Sequence, residues 1–283
     1  MSVPNLMMML VGMAQLNSGG PMKQSVLTSV AAVAMVGLLA QSGGEAGDKN
    51  DSPWKPILPA EAYKVLTERS IKAIEETAKA NGKNAREKVN VEAAILAGYT
   101  LSVETPNADG VAQLRGAALA AAKTKLAKLS DFRGLVTTAP KAAANSSGMD
   151  FDLMDMMEIF RGKAKGGEGI HPDLQYQPKL KNLNGIEALI GSLGKKLIAP
   201  GDLGKIAKEL PNLSYRIATV ASITYRQAPK KGAEQWRDLS IKMRDASVVL
   251  ADAASKKNAN GVLIAAQALE TTCTACHSEF KGK

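Results

Sequence analysis

The last residues of the 283-residue chain, ETTCTACHSEFKGK, carry the groups with the most distinctive chemistry. Cys273, Cys276 and His277 form a Cys-x-x-Cys-His motif that contains both of the chain's cysteines. Three chemistries use such a motif: a thioredoxin-like redox pair, a structural zinc site and covalent attachment of a c-type haem. Each makes a different demand on the rest of the chain.

The remaining sequence favours the haem. A thioredoxin-like pair lies where a strand meets a helix, and no segment upstream has the pattern of a strand. A structural zinc site needs four ligands, but His171 is the only other cysteine or histidine. In c-type attachment the two thiols bond to the haem vinyl groups and the adjacent histidine ligates the iron. The motif therefore predicts one haem c per chain, held by Cys273 and Cys276, with His277 as the proximal ligand.

The other end of the chain predicts export. Met22 is followed by a lysine, an apolar run over residues 26–40 and then small residues, which is the plan of a secretory signal peptide. The run is short for a membrane span of about 20 residues, so no stable span is expected. We expect translation to start at Met22, cleavage after Ser42 or Ala46, and residues 1–46 to lie outside the fold. An uncleaved interfacial anchor is the alternative. The expected location is the periplasm, or another extracytoplasmic space where c-type haem is attached.

The mature chain predicts an all-α fold, because it lacks β-branched and aromatic runs bounded by turn residues. Apolar residues recur at intervals of three or four, and His277 flanks the last of these stripes. Asn260 is the expected N-cap of that helix. The stripe predicts that both cysteines face a core. Its members are Val262, Ala266, Leu269, Cys273, Cys276 and Phe280.

The same spacing predicts three further helices before the last one. Asn184 and Glu187 form a capping-box-like start, and residues 232–256 form the third helix. The second helix begins near residue 213, after a short turn over residues 203–210 that Pro211 interrupts or kinks. Four helices with short connections predict an antiparallel four-helix bundle, and such bundles hold cofactors between facing helices.

Residues 180–283 resemble the cytochrome c prime family, a four-helix bundle whose Cys-x-x-Cys-His lies near the end of its last helix. The resemblance is carried by the tail CTACHSEFKGK, with Phe280 and Lys281 just beyond the motif, and by the third helix, which begins GAEQWRDL and includes Trp236. It implies an iron with a commonly vacant sixth position, shielded by apolar residues of the first helix. Leu189 and Ile190 are the candidates for this shield.

Other residues could close the sixth position. A smaller related group supplies a methionine from the first helix, but none lies between residues 186 and 197. Met243 on the inner stripe of the third helix and His171 in the segment GKAKGGEGIHPDLQYQP are the alternatives. Methionines at helical spacing are more often core residues than ligands, and we expect this of Met149, Met154, Met156 and Met157.

The first half of the mature chain resembles the second half in two stretches. GVAQLRGAALAA (110–121) aligns with GAEQWRDLSIKM (232–243), and LMDMMEIFRGK (153–163) aligns with CTACHSEFKGK (273–283). The offsets are 122 and 120 residues. Two matches at nearly one period predict a tandem repeat.

The earlier copy has no haem-binding groups, because Leu153, Met156 and Met157 occupy the positions of the motif residues. We therefore predict two tandem antiparallel four-helix bundles: residues 54–163 without haem and residues 180–283 with it, joined by a linker at 164–179. Residues 145–148 (NSSG) interrupt the last helix of the earlier copy, which predicts a short or broken helix. Its other helices are predicted near 60–80, 86–103 and 109–129.

The net charge and the absence of certain motifs argue against several classes of function. The net charge of +9 comes from dispersed lysines with no aromatic-interleaved basic stripe, which argues against nucleic acid as a partner. The charge could steer the protein towards an acidic redox partner. Paired carboxylates, a Ser-His-Asp set and a phosphate-binding glycine loop are missing, so no enzymatic activity is expected.

Three functions fit these features: electron transfer, binding of small diatomic gases such as nitric oxide or carbon monoxide, and a haem-based sensory or structural module whose haem-less half binds a partner. The resemblance implies dimers of single bundles. Two bundles in one chain could make this contact internally, as a pseudo-dimer, or the chain could form a homodimer.

Overall fold

Helices account for the regular structure throughout the part of the chain that the computed structural model describes. That part comprises residues 54–80, 82, 84–123, 132, 134, 136, 139, 141–142, 152–175 and 185–280. The predicted signal peptide (1–46), Asn184 and Lys281 lie outside it. Within it, an isolated bridge between Leu58 and Val103 is the one β-type contact, and there is no strand. The predicted all-α fold is confirmed.

Nine α-helices are found in the described residues, together with two short 3-10 helices, Lys163–Lys165 and Pro172–Leu174. The α-helices are α1 (Ala60–Ala80), α2 (Ala85–Ser102), α3 (Asp109–Lys123), α4 (Leu153–Glu158), α5 (Ile186–Lys195), α6 (Pro200–Ile206), α7 (Leu210–Arg226), α8 (Ala233–Ser255) and α9 (Ala259–Phe280).

In the first half of the chain, α2 packs against α1, α3 and α4. Most of its side chains are buried, on every side of the helix, as is expected of a helix that is enclosed by others. The three long helices begin within one residue of their predicted positions; the predicted end of the third, near residue 129, lies outside the described residues. The last helix, α4, has only six residues, as predicted, and Asp152 caps it by accepting a hydrogen bond from the Met154 N–H at 2.8 Å.

In the second half, α9 packs against α5 and α8, and α8 packs against α7. Two sequence predictions here were wrong. Pro211 lies in the first turn of α7 instead of kinking a helix, because a proline there has no N–H to leave unpaired. Of the turn predicted over 203–210, residues 203–206 belong to α6 and residues 207–209 form a turn. The N-cap of α9 is Asn258, whose Oδ1 accepts from the Gly261 N–H at 3.0 Å, whereas Asn260 lies inside the helix.

The described residues form two apolar cores. The N-terminal core consists of side chains from α1 to α4 together with Val220 and Ile223 of α7. The C-terminal core consists of side chains from α5 to α9 together with Ile170 and Leu174. The segment predicted as a linker therefore contributes buried residues to the second core, and Phe160 packs against both cores.

Helix α7 belongs to both halves, since it contacts α8 on one side and α1 and α2 on the other. Residues 54–280 accordingly belong to one compact unit. The tandem four-helix arrangement stays a prediction. None of the described helices combines the length and the apolar character that crossing a membrane requires.

A buried ionic cluster reinforces this junction. Arg216 of α7 pairs with Glu92 of α2 at 2.6 Å, donates to the Tyr99 hydroxyl at 3.0 Å and donates from Nε to Glu168 at 3.1 Å. Nearby, Arg69 of α1 donates from Nη2 to Glu209 at 2.8 Å. Burial acts to raise the pKa of Glu92, but the charge and hydrogen bonds of Arg216 outweigh it and hold that pKa below its usual value.

Replacing Gly98 by alanine should loosen the contact between α2 and α7. A Cβ at Gly98 would lie 2.6 Å from Thr219 Cγ2 and 3.1 Å from Ile223 Cδ1, so we expect overpacking to cost roughly 1–3 kcal/mol of unfolding free energy. The matched control is Gly110→Ala in α3, where a Cβ meets nothing within 4 Å and a gain of up to about 1 kcal/mol is expected. Urea unfolding measures both; equal effects would contradict the close contact.

Replacing Arg216 by methionine should be far more costly than removing a surface ion pair. The Arg216 side chain is 11% exposed, and its loss leaves the largely buried Glu92 carboxylate uncompensated, at a cost of about 3–5 kcal/mol. Lys242→Met, which removes an exposed pair with Asp238, should cost at most about 1 kcal/mol. Thermal unfolding followed by circular dichroism compares the two variants, and a small effect at Arg216 would argue against a buried cluster.

Candidate haem-attachment site

The Cys-x-x-Cys-His motif lies in the last two turns of α9, which stays helical through Phe280. Val262, Ala266 and Leu269 of the predicted stripe are fully buried, whereas Cys273, Cys276 and Phe280 are partly buried. Cys273 packs against the C-terminal core. Burial thus decreases along the stripe towards the end of α9, where the thiols lie between core and solvent.

Two glycines of α5 allow this helix to pack closely against α9. A Cβ at Gly191 would lie 3.1 Å from Glu270 Oε1, and one at Gly194 would lie 3.3 Å from the Gln267 backbone nitrogen. The Gln267 side-chain amide also donates to the Gly194 carbonyl at 2.9 Å. The two helices therefore approach closely one to two turns before the first cysteine.

The two predicted shield residues lie in the same core. Leu189 and Ile190 of α5 are buried among the apolar residues against which Cys273 packs. The helix that carries them begins next to the end of α4, because the Glu187 N–H donates to the Phe160 carbonyl at 3.3 Å. The structure thus brings helix α5 and the motif to one end of the C-terminal core.

Aromatic residues hold the other side of α9. Trp236 and Phe280 meet edge to face, with ring centroids 5.0 Å apart and an interplanar angle of 82°, a favoured aromatic geometry. Trp236 Nε1 donates to the Thr224 carbonyl at 2.7 Å. Gly232 adopts φ +78°, and a Cβ there would lie 3.1 Å from the Phe280 ring, so this backbone closes over the end of α9. Sequence reasoning selected Trp236 and Phe280 but not this hydrogen bond or contact.

Electrostatics at the motif disfavour thiolates. Burial raises the pKa of Cys273 to about 12, and the nearby Glu187 carboxylate and Cys276 thiol add to the increase. Burial also raises the pKa of Cys276. In addition, the motif is at the C-terminal end of its helix, where the helix dipole opposes a negative charge. A disulfide oxidoreductase needs the reverse, a lowered pKa at a helix N-terminus.

The side chains of the motif are also not arranged as the ligands of one metal ion. Among the described residues, His171, Asp173 and Glu209 form the one group of three or more histidine, cysteine or acidic side chains whose ligand atoms all lie within 4.8 Å of one another. The two thiols and the imidazole of the motif do not meet that condition, as they would around one zinc ion. Thioethers to two separate vinyl groups place no such demand on them.

A carboxylate that sequence reasoning used only as a cap lies beside the proximal-ligand candidate. Glu187 Oε1 is 4.0 Å from His277 Nδ1, and both side chains are substantially exposed. If Nε2 of His277 ligates iron, a carboxylate on the Nδ1 side can orient the ring and increase its basicity. The sequence does not show this neighbour, because Glu187 at the start of α5 and His277 near the end of α9 come together only in the folded chain.

The alternative sixth ligands lie in different places. Met243 of α8 packs against the C-terminal core together with Cys273. His171 lies in the group with Asp173 and Glu209 instead, and its Nδ1 accepts a hydrogen bond from the Asp173 N–H at 3.3 Å. In the first half, Met156 is buried in the N-terminal core and Met157 packs against it, whereas Met154 is 58% exposed; Met149 lies outside the described residues.

The donor set fits a c-type haem: two thiols one helical turn apart, each partly exposed, with an imidazole next to the second. No protein-family model, curated protein or solved structure matches the chain. The assignment therefore depends on these residues and their placement.

The haem-free chain should show slow thiol chemistry. A rise of the Cys273 pKa from 9.0 to about 12 lowers the thiolate fraction at neutral pH by about a thousandfold. Since only the thiolate is nucleophilic, iodoacetamide should label Cys276 first, and the labelling rate of Cys273 should keep rising with pH until about pH 12. Mass spectrometry of peptides measures both sites, with guanidinium-unfolded chain as the control. Rapid labelling of Cys273 at pH 7 in the folded chain would contradict its burial.

Proposed function

We propose that the protein is an exported c-type cytochrome, related to the cytochrome c prime family, with one haem c per chain. Cys273 and Cys276 hold the haem covalently, and His277 is its proximal ligand. The observation that carries this proposal is the placement of the motif: its thiols and imidazole follow one another at the end of a terminal helix, against an apolar core, without converging as ligands of a single metal ion would.

The haem supplies a one-electron redox centre that can also take a diatomic ligand. The protein's part is to fix the ring, exclude water and set the polarity around it. Leu189 and Ile190 present only hydrocarbon to their side of the core, which favours an open sixth position shielded from water and anions. Trp236 and Phe280 supply an aromatic wall, and Glu187 orients His277.

Electron transfer and gas binding both follow from this arrangement. The partly exposed Cys276 places one attachment point near solvent, as exchange of electrons with a partner protein requires. A neutral ligand such as nitric oxide or carbon monoxide could enter the apolar side, which offers no hydrogen-bond donor from Leu189 or Ile190. Met243 is the competing residue, because it contacts the same core and its sulfur could ligate the iron.

The haem-less half supports a second proposal, that it takes the place of a partner subunit. It covers one side of α7 through α1 and α2, with the Arg216 cluster and Gly98 at the contact. An internal pseudo-dimer would leave the protein a monomer in solution, with no need to pair with a second copy. The same contact could carry a signal between the haem and a partner bound to the first half, which is the sensory alternative.

The state of the iron is tested by the visible spectrum of dithionite-reduced protein before and after addition of carbon monoxide. A broad high-spin band that sharpens and shifts with the gas is expected for an open sixth position. Sharp low-spin bands that do not respond to carbon monoxide would instead assign Met243 or another residue as sixth ligand, and would favour a pure electron carrier. The variant Met243→Leu distinguishes the two cases. Its spectrum should equal that of the wild type if the sixth position is open, and should differ from it if Met243 is the sixth ligand.

Covalent attachment is tested by replacing Cys273 and Cys276 together with alanine. This variant should lose the haem-stained band on a denaturing gel, because each thioether requires its own thiol. Thr274→Ala is the matched control: the residue lies between the two cysteines and is exposed, so its band should persist. A stained band in the double variant would refute the attachment site.

A further inference from the structure

Outside the haem-attachment motif, three side chains with metal-binding atoms come together before α7. His171 and Asp173 flank the first residue of the 3-10 helix Pro172–Leu174, and Glu209 directly precedes Leu210. One ligand atom from each side chain lies within 4.8 Å of the other two. An imidazole and two carboxylates are donors that Zn²⁺ and related divalent ions accept.

Of the three donor side chains, one is buried and held in position, and two are exposed and can change conformation. The Glu209 side chain is 6% exposed, whereas those of His171 and Asp173 are 41% and 66% exposed. Ligands that share an ion at about 2.0–2.2 Å lie roughly 3–3.6 Å apart, so two donor atoms at the 4.8 Å limit would have to approach each other by about 1–2 Å. The two exposed side chains can make this movement by a change of rotamer without disturbing the core.

The His171 imidazole and the Asp173 carboxylate already face each other. His171 Nδ1 accepts from the Asp173 N–H at 3.3 Å and lies 3.9 Å from Asp173 Oδ2. A metal ion is bound by an unprotonated ring nitrogen of a neutral imidazole. This contact is long for a hydrogen bond, so an ion could displace it at little cost.

The surroundings attract cations. His171 and Glu209 line a cleft of about 650 Å³ between the two halves, and its lining contains seven carboxylates against four lysine and arginine side chains. The chain as a whole carries a net charge of +9. A cleft of opposite sign to the rest of the molecule concentrates cations from solution.

We propose that His171, Asp173 and Glu209 form a site for one divalent transition-metal ion, with Zn²⁺ as the best match to one nitrogen and two oxygen donors. Water completes the coordination, since two of the donors face solvent. The ion ties the segment before α5 to the start of α7, beside the junction of the two halves. This site is separate from the haem and does not depend on it.

One neighbour sets the affinity. Arg69 donates from Nη1 to Glu209 Oε1 and from Nη2 to Glu209 Oε2, the latter at 2.8 Å. A carboxylate has about four lone-pair positions, so Glu209 can accept from Arg69 and ligate an ion at once, but the guanidinium charge repels the cation. Removing this charge should therefore strengthen metal binding.

The test is calorimetric titration of chelator-treated, haem-loaded protein with Zn²⁺. Once His277 is committed to iron, His171 is the one free histidine of the chain. We expect one Zn²⁺ per chain, an affinity at least about tenfold weaker in His171→Ala and in Asp173→Asn, and a tighter affinity in Arg69→Gln. Glu158→Gln is the matched control, because Glu158 lines the same cleft outside the proposed set and should bind within about twofold of wild type.

Zn²⁺ binding that is absent, that is equal in His171→Ala and wild type, or that weakens in Arg69→Gln would overturn the proposed site. Circular dichroism of each variant verifies that the helices are intact, which the exposure of His171 and Asp173 leads us to expect. The haem content of the same samples is measured separately, so loss of haem tests the proposed function and loss of zinc tests this site.

Discussion

The close packing of α9 between α5 and α8 is the constraint on which the site depends. Two glycines of α5 let the helices approach, and the Trp236–Phe280 contact closes the other side. Because a helix turns 100° per residue, fixing α9 at these points also fixes the direction of Cys273, Cys276 and His277. The chemistry of the motif is generic, and the packing of its helix is what gives it a core on one side and solvent on the other.

Helix α7 has the corresponding role for the whole molecule. It gives one face to the C-terminal core and, through Val220 and Ile223, another to the N-terminal core. Apolar packing alone is not directional. The Arg216 cluster adds direction, because its guanidinium must meet Glu92 and Glu168 together, and a misplaced charge would be costly to bury. The two halves therefore share a helix and a charge network.

The sequence predicted the helices well where apolar periodicity was long and uninterrupted, as in α1, α8 and α9. Local signals were less reliable: Asn260 matched the residue preference of an N-cap, but Asn258 has the position that reaches the first free N–H groups. Contacts between distant segments could not be predicted. The proximity of Glu187 to His277 and the buried Arg216 cluster join residues far apart in the chain, and no pattern in one segment specifies its partner.

The proposed function requires that each chain holds one haem through Cys273 and Cys276. The most direct measurement is the intact mass of the purified protein under denaturing conditions, combined with a pyridine haemochrome assay of the same sample. We expect a mass that exceeds that of the processed polypeptide by one haem, and one equivalent per chain of haem whose two vinyl groups are saturated. A mass equal to the bare chain, or one that corresponds to two haems, would contradict it.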